Sequence, residues 1–544
     1  MSQEEKKCQN CKNQFMIEPA DFAFYEKMQV PPPTFCPECR LQRRTMFRNE
    51  RVLYGRKCDS CGKDIITVFA PDKPYRAYCS PCWWSDKWDG TEFGQEYDPS
   101  QNFFKQLLEL SKKVPYMNLV IDYPTMVNAV YVNHVGHLKN CYLCFDSDFS
   151  EDAYYSTIMY NCKDSMDLLV ADRLELCYGD VNCRRSFKTF FSEDSSDCHE
   201  VYFSKNCSGC NNCFGCVNLK NKSYWIFNKP YQKEEYAKKL KEFRLDSFKE
   251  VERLKEEIHN FWKTQPHKFF HGRRNTNVSG DYIEESKNAY FVYQVYGAEN
   301  VKFCQRIMLK PAKDSYDYFE WGNNASRIYE GITVGEGADM VKFSFACWKG
   351  NTTEVEYSMY LFSTAYMFGC VSLKNKKYCI LNRQYSKEEF IKLREKIIQD
   401  MNANPYIDGK GRVWKYGEFF PYDLSLFDYN ESTAIQYFPL TKEQALEKGF
   451  RWYDAKQSEY PVTLKSNNIP DSIHDIHDTI LQDVIDCMTC EWPFRIIKQE
   501  LLFLRKLGFP IPRKCPNCRH QERMNRMNPP RLWHRKTTVV SRKL

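Results

Sequence analysis

The sequence predicts a mainly β protein: two tandem parallel β-helix (solenoid) domains with helical caps, flanked by small cysteine-rich modules. Three observations predict it. CxxC pairs crowd both ends of the chain. Asn-Cys dipeptides recur at 140–141, 161–162, 182–183 and 206–207, in steps of 21, 21 and 24 residues. Finally, "FGCVNLKNKSYWIFNKPYQKEEY" at 214–236 reads again as "FGCVSLKNKKYCILNRQYSKEEF" at 368–390.

The ends come first. Cys8, Cys11, Cys36 and Cys39 follow C-x2-C-x24-C-x2-C, and Cys487, Cys490, Cys515 and Cys518 repeat that layout with the same gap. Cys58, Cys61, Cys79 and Cys82 use a 17-residue gap. Each CxxC turn aims two thiolates at one ion, and two such turns complete a closed tetrahedral site. The spacing therefore predicts three structural zinc ions. With 26 cysteines and no apolar leader at the start, the pairs read as metal ligands in a reducing, cytoplasmic setting rather than as disulfides. No apolar run is long enough to span a membrane.

The outer quartets match beyond their cysteines. Phe15 aligns with Phe494, Asp21 with Glu500, Phe24 with Phe503, Lys27 with Lys506 and Pro33 with Pro512, ahead of CPEC-Arg40 and CPNC-Arg519. This pattern resembles a family of zinc-ribbon, treble-clef-like domains over roughly 35 residues at each end. The resemblance implies zinc and a small ribbon module, and no particular activity. The whole chain is similar to zinc-ribbon/β-solenoid proteins of small-genome bacteria, which adds no activity either.

Basic charge follows each outer quartet. Residues 40–57 carry a net +6 and residues 512–544 a net +9, so the rest of the +7 chain stands at −8. Arg40, Arg43, Arg44, Arg48 and Arg51 recur at helical steps, and Arg519, Arg523, Arg526, Arg531 and Arg535 form the C-terminal set. Guanidinium forks suit phosphate oxygens. The expectation is nucleic-acid binding (RNA or DNA) of low sequence specificity, because no base-reading element is present. Two other readings fit the same arginines: a solvated face, and an intramolecular clamp onto the acidic body or a grip on a protein partner.

Between the ends, a repeat near 21 residues with β-prone text and Asn, Asp, Ser and Gly punctuation predicts stacked turns with Asn and Cys ladders. "KDSMD" at 163–167 also returns as "KDSYD" at 313–317. The domain order is then a zinc-ribbon module over 1–57, a second over 58–92, and a helical linker over 93–116. The first solenoid covers 117–231, a helical cap or linker 232–265, the second solenoid 266–385 and a helical cap 386–403. An irregular β region and helix occupy 404–486, and the third zinc-ribbon module with its basic tail 487–544. Ser386 and Glu389 form a capping box for the second cap. Residues 233–261 predict one longer helix, and Ile473, Ile476, Ile480 and Val484 predict another over 472–486.

The run Cys207, Cys210, Cys213 and Cys216 invites an iron–sulfur or extra zinc reading. In the second copy Leu361, Thr364 and Met367 stand at the first three positions. Packing of small buried thiols is the favoured reading. His134 and His137 have no nearby Glu to complete an HExxH pattern, and His474 and His477, one turn apart near Asp475 and Asp478, read as a partly exposed pair rather than as ligands. No nucleotide-binding glycine loop or nucleophile elbow occurs. The sequence therefore reads as a non-catalytic, zinc- and nucleic-acid-binding protein. A protein-assembly scaffold, or a β-helix enzyme on a glycan or polyanion, are the alternatives.

Overall fold

The computed structural model describes residues 2–455 and 460–534. It is mainly β, with two large parallel sheets that close into barrel-like rings. The chain divides into two compact units. Unit 1 joins Met1–Asn118 to Phe269–Tyr453 and the segment from Asn528 onward; unit 2 joins Leu119–Lys268 to Asp454–Met527. Each outer cysteine module thus packs with the sheet more distant from it in sequence. The N-terminal module belongs with the second sheet, and the C-terminal module with the first.

Unit 2 shows why its sequence folds this way. Between Asn128 and Asn221 nearly every third residue has positive φ, including Asn140, Asp146, Asp152, Asn161, Asp164 and Asp167. Asn and Asp tolerate that left-handed conformation better than other side chains, which accounts for their frequency here. The residue after each such bend points inward. Leu138, Cys141, Cys144, Ser147, Ser150 and Ala153 are all buried, and the series runs on to Cys216. Four three-residue faces make one rung. Leu169 pairs with Val181, Phe187 with His199 and His199 with Asn211, all in parallel at a 12-residue offset.

The ladder step is therefore 12 residues, which corrects the 21-residue period read from the Asn-Cys pairs. Twenty-one is a multiple of three, so it preserves the inward phase while landing on a different face. So narrow a core selects small side chains. Inward serines also bridge rungs: Ser147 Oγ donates to the Phe145 carbonyl (2.8 Å) and accepts from Met159 N (3.1 Å). Ser165, Ser186, Ser195 and Ser204 accept from cysteine N–H groups one rung on.

Unit 1 has the same plan with longer rungs. Ala312 pairs with Ala325, Ser326 with Asp339 and Asp339 with Thr353, steps of 13, 13 and 14. These three rungs exceed 12 by one, one and two residues. That excess accounts for the offset between the copies growing from 150 at KDSMD/KDSYD to 154 at FGCVNL/FGCVSL. The wider rungs enclose larger side chains, among them Ile307, Tyr318 and Ile328.

The helices need two corrections. Residues 233–261 form two helices, Lys233–Glu242 and Phe248–Lys263, because Ser247 caps the second by accepting from Glu250 N. The helix expected over 472–486 is instead two 3-10 turns, Ile473–Asp475 and Asp478–Gln482, and a short strand, Ile485–Asp486. Ser472 accepts from His474 N and caps the first turn, which ends at Ile476. Ile473, Ile476, Ile480 and Val484 are nevertheless all buried, which is why their spacing imitated a helix. The helix Lys387–Ala403 begins at the expected Ser386–Glu389 capping box. Among the described residues, no helix is long and apolar enough to cross a membrane.

Candidate metal centres and arginine clamps

Each quartet is built the same way. The first CxxC lies in the turn of a short antiparallel hairpin: Glu4–Lys7 with Gln14–Ile17, Tyr54–Lys57 with Asp64–Thr67, and Ile485–Asp486 with Pro493–Phe494. The residue after its second cysteine has positive φ: Lys12, Gly62 and Glu491. That bend lets Cys8 N reach Asn13 O, Cys58 N reach Lys63 O and Cys487 N reach Trp492 O. In the second CxxC, Cys36, Cys79 and Cys515 sit at the N-cap of a helix that opens with or just before proline.

The donor sets fit a metal ion. In each quartet the four sulfurs lie within 4.8 Å of one another. Cys11–Cys36, Cys61–Cys79 and Cys490–Cys515 are 3.7, 3.9 and 3.7 Å apart. A tetrahedron of thiolates at about 2.3 Å from an ion has edges of about 3.8 Å. Backbone N–H groups already favour thiolate: Cys36 N, Cys79 N and Cys515 N donate to the sulfurs of Cys8, Cys58 and Cys487. Burial alone would raise the Cys487 thiol, but the N–H groups of Cys515, Cys490 and Thr489 bring it to about 7.

The arginines named from the sequence lie mostly inside. In unit 1, the helix Pro37–Thr45 carries Arg40, Arg43 and Arg44 to the sheet, all at most 1% exposed. Arg40 Nε (3.0 Å) and Arg44 Nη1 (3.1 Å) both donate to Asp317, the last residue of KDSYD. Arg43 forks onto Glu330 (2.7 and 2.9 Å) and reaches Glu418 (3.1 Å). Arg48 meets Glu50 (2.7 Å) and Glu320. Burial alone would lower the Arg43 pKa, but Glu330 and Glu418 hold it above its ordinary value. Burial raises the Glu330 carboxyl, with Arg43 and Arg44 opposing.

Unit 2 repeats the device. Arg519 (2.9 Å) and Arg523 (2.7 Å) converge on Asp167, the last residue of KDSMD. Arg519 also meets Glu500 (3.0 Å), which accepts from the Tyr155 hydroxyl (2.6 Å). Aligning the quartets matches Arg40 with Arg519 and Arg44 with Arg523, while Asp317 matches Asp167 in the sheets. The same arginine–aspartate clamp is therefore present twice. Burial lowers the Arg523 pKa despite Asp167, and Arg519 and Arg526 add to the fall.

Arg40, Arg43, Arg44, Arg48, Arg519 and Arg523 thus face carboxylates of their own unit and do not form the solvent-facing stripe expected for phosphate. Arg51 and Arg526 are half-buried, Arg526 donating to the Gly179 carbonyl (2.6 Å), and Arg531 is exposed. Arg535 lies outside the described residues. Asp167, Asp317, Glu330 and Glu418 were not singled out from the sequence. The repeated KDSxD held the signal for the two aspartates, but no local pattern marks the two glutamates.

Cys207, Cys210, Cys213 and Cys216 are the four inward residues of one rung of unit 2, all buried. Each sulfur donates to the carbonyl two residues back. No three of these sulfurs meet within 4.8 Å, unlike the quartets. His474 and His477 are exposed, and His137 pairs with Asp148 (3.0 Å) while stacking on Phe149. No protein-family model matches the chain, and no curated protein matches it.

Proposed function

We propose that this chain is a non-catalytic scaffold of two β-solenoids, each locked by a zinc-ribbon module that works as an internal clamp. Zinc would be held by Cys8, Cys11, Cys36 and Cys39; by Cys58, Cys61, Cys79 and Cys82; and by Cys487, Cys490, Cys515 and Cys518. All-sulfur tetrahedral sets suit zinc, and a closed site contributes its binding energy to folding. The observation that carries the reading is the doubled clamp, in which two arginines one helical turn apart share a buried aspartate in each unit. Twenty-six free cysteines fit a reducing, cytoplasmic compartment.

Buried guanidinium–carboxylate pairs are costly to break, because either partner alone is left charged without compensation. Nucleic-acid binding by these arginines would require both modules to abandon those pairs. A nucleic-acid role would therefore fall to exposed Arg531 and the basic sequence after it. The test substitutes Arg43→Ala and Arg44→Ala together. The clamp reading expects a lower melting temperature and an unchanged salt dependence of any binding to mixed-sequence RNA or DNA. Unchanged stability with a salt slope flatter by roughly one to two would support phosphate contacts instead.

A further inference from the structure

The first rung of unit 2 pairs only forward: Val127 with Lys139 and Val130 with Tyr142, both in parallel. Val130 N reaches Cys141 O (3.0 Å), and Val130 O accepts from Leu143 N (3.3 Å). One rung back, the groups equivalent to Cys141 O and Leu143 N are Ala129 O and Tyr131 N. Leu138 O and Asn140 N, which serve Val127, have Met126 O and Asn128 N as their equivalents. Among the described residues, no protein group meets these four. The inward residues Ile121, Met126 and Ala129 are only partly buried, whereas Leu138, Cys141 and Cys144 one rung on are closed off. Val127, Val130 and Tyr131 are 55%, 47% and 43% exposed.

The other solenoid ends are protected. The last strand of each unit folds back on itself in antiparallel, Ile226 facing Lys229 in unit 2 and Ile380 facing Arg383 in unit 1, and a helix follows, Lys233–Glu242 or Lys387–Ala403. Unit 1 begins with the strand Gly272–Arg273, where Arg273 and Arg274 pair with Glu284 (3.3 Å) and Glu285 (3.5 Å) and Phe270 packs on the inward residues. Charge of this kind keeps an edge from pairing with another chain. Unit 2 lacks the device. Its opening stretch, "IDYPTMVNAVYV" at 121–132, carries one charge, Asp122, and has no proline from Met126 onward.

An open apolar rung needs a cap, and this edge is its own complement. Where two residues face each other at a non-hydrogen-bonded site of an antiparallel pair, the N–H of the residue after each donates to the carbonyl of the residue before the other. With Val130 facing Val130 of a second copy, Tyr131 N of each chain would donate to Ala129 O of the other. Both open groups of that face are then satisfied in both chains, and almost no charge opposes the approach. We propose that unit 2 pairs through this edge with the same edge of a second copy, on a two-fold axis at Val130. Because the remaining ends are protected, assembly stops at a dimer rather than running on into a fibre. The proposal goes beyond the clamp reading and stands whether or not the modules hold zinc.

Sedimentation velocity of the full chain from about 1 to about 200 µM tests it, a range that brackets the affinity of a small interface. A species of twice 64.8 kDa that grows with concentration is expected. Val130→Lys and Val130→Glu should each sediment as monomers, because like charges would face each other across the axis, whereas their equimolar mixture should dimerise. Dimerisation of the mixture also shows that both variants are folded. Val130→Cys should form an intermolecular disulfide under oxidised glutathione, identified by mass spectrometry as the peptide linked at position 130, since facing Cα atoms about 4.5 Å apart lie within disulfide reach. A monomer at every concentration, a Val130→Lys dimer as stable as wild type, a mixture that stays monomeric, or a co-purified foreign protein that Val130→Lys displaces overturns the proposal.

Discussion

Replacing Asp317 by Ala should destabilise unit 1 by breaking its clamp from the sheet side. The Asp317 carboxylate is fully buried and pairs with Arg40 (2.8 Å) and Arg44 (3.1 Å). Without it, Arg40 has lost the carboxylate nearest to it, and Arg44 is left with Glu330 at 3.6 Å. Removing one side of a buried ion pair costs about 3–5 kcal/mol. Unit 1 spans about 320 residues. At about 2.1 cal/mol/K per residue its unfolding entropy is about 0.67 kcal/mol/K, so the expected fall in melting temperature is roughly 5–7 °C. The assay is differential scanning calorimetry of wild type, Asp317→Ala, and the double variant Asp317→Leu with Arg44→Met. The double variant should recover part of the loss, because an apolar pair leaves fewer uncompensated charges. A shift below about 1 °C for Asp317→Ala would refute the reasoning, since a solvated pair costs that little.

Asp167→Ala should do the same to unit 2, whose smaller size makes the fall per kcal/mol larger. Metal analysis of protein purified without chelator should give three zinc ions per chain, and Cys36→Ser should lose one of them; fewer than two in the unaltered protein would contradict the quartets. Asp180 occupies an inward position of unit 2, where burial raises its carboxyl to about 7 against an ordinary 3.8, with Thr189 and Ser192 opposing. The folded state then holds a proton that the unfolded chain releases between about pH 4 and 7, so this group's contribution to stability falls as pH rises through that window. Asp180→Asn should accordingly melt above wild type at pH 8 and gain little at pH 4, as followed by circular dichroism; an equal shift at both would exclude the linkage. Cys213→Leu should overpack its rung and cost about 1–3 kcal/mol in a denaturant titration, whereas no loss would mean the rung has spare room.

The metal quartets were legible because a closed site fixes ligand spacing along the chain. The duplication was legible for the same reason, since KDSxD and FGCVxL keep their local text. The rung length was not. A bend every third residue leaves a three-residue signal in Asn and Asp, and any multiple of three imitates a period, so the Asn-Cys pairs pointed to 21 rather than 12. The fate of the arginines was hidden for a different reason. Arg43 and Glu330 are 287 positions apart, and a stripe of guanidiniums reads alike whether phosphate or a buried carboxylate faces it. Only the sheet register, which brings Asp317 and Glu330 to successive rungs beneath one helix, separates the two.

Arginine modification read by mass spectrometry tests the clamps most directly. The native protein would be treated with phenylglyoxal and digested, and the labelling rate of each arginine compared before and after metal removal by a chelator. Arg40, Arg43, Arg44, Arg519 and Arg523 should label far more slowly than exposed Arg531 in the native protein, and should approach its rate once the modules lose metal. Labelling of Arg43 and Arg44 as fast as Arg531 in the native protein would contradict the account, because it would place those guanidiniums in solvent.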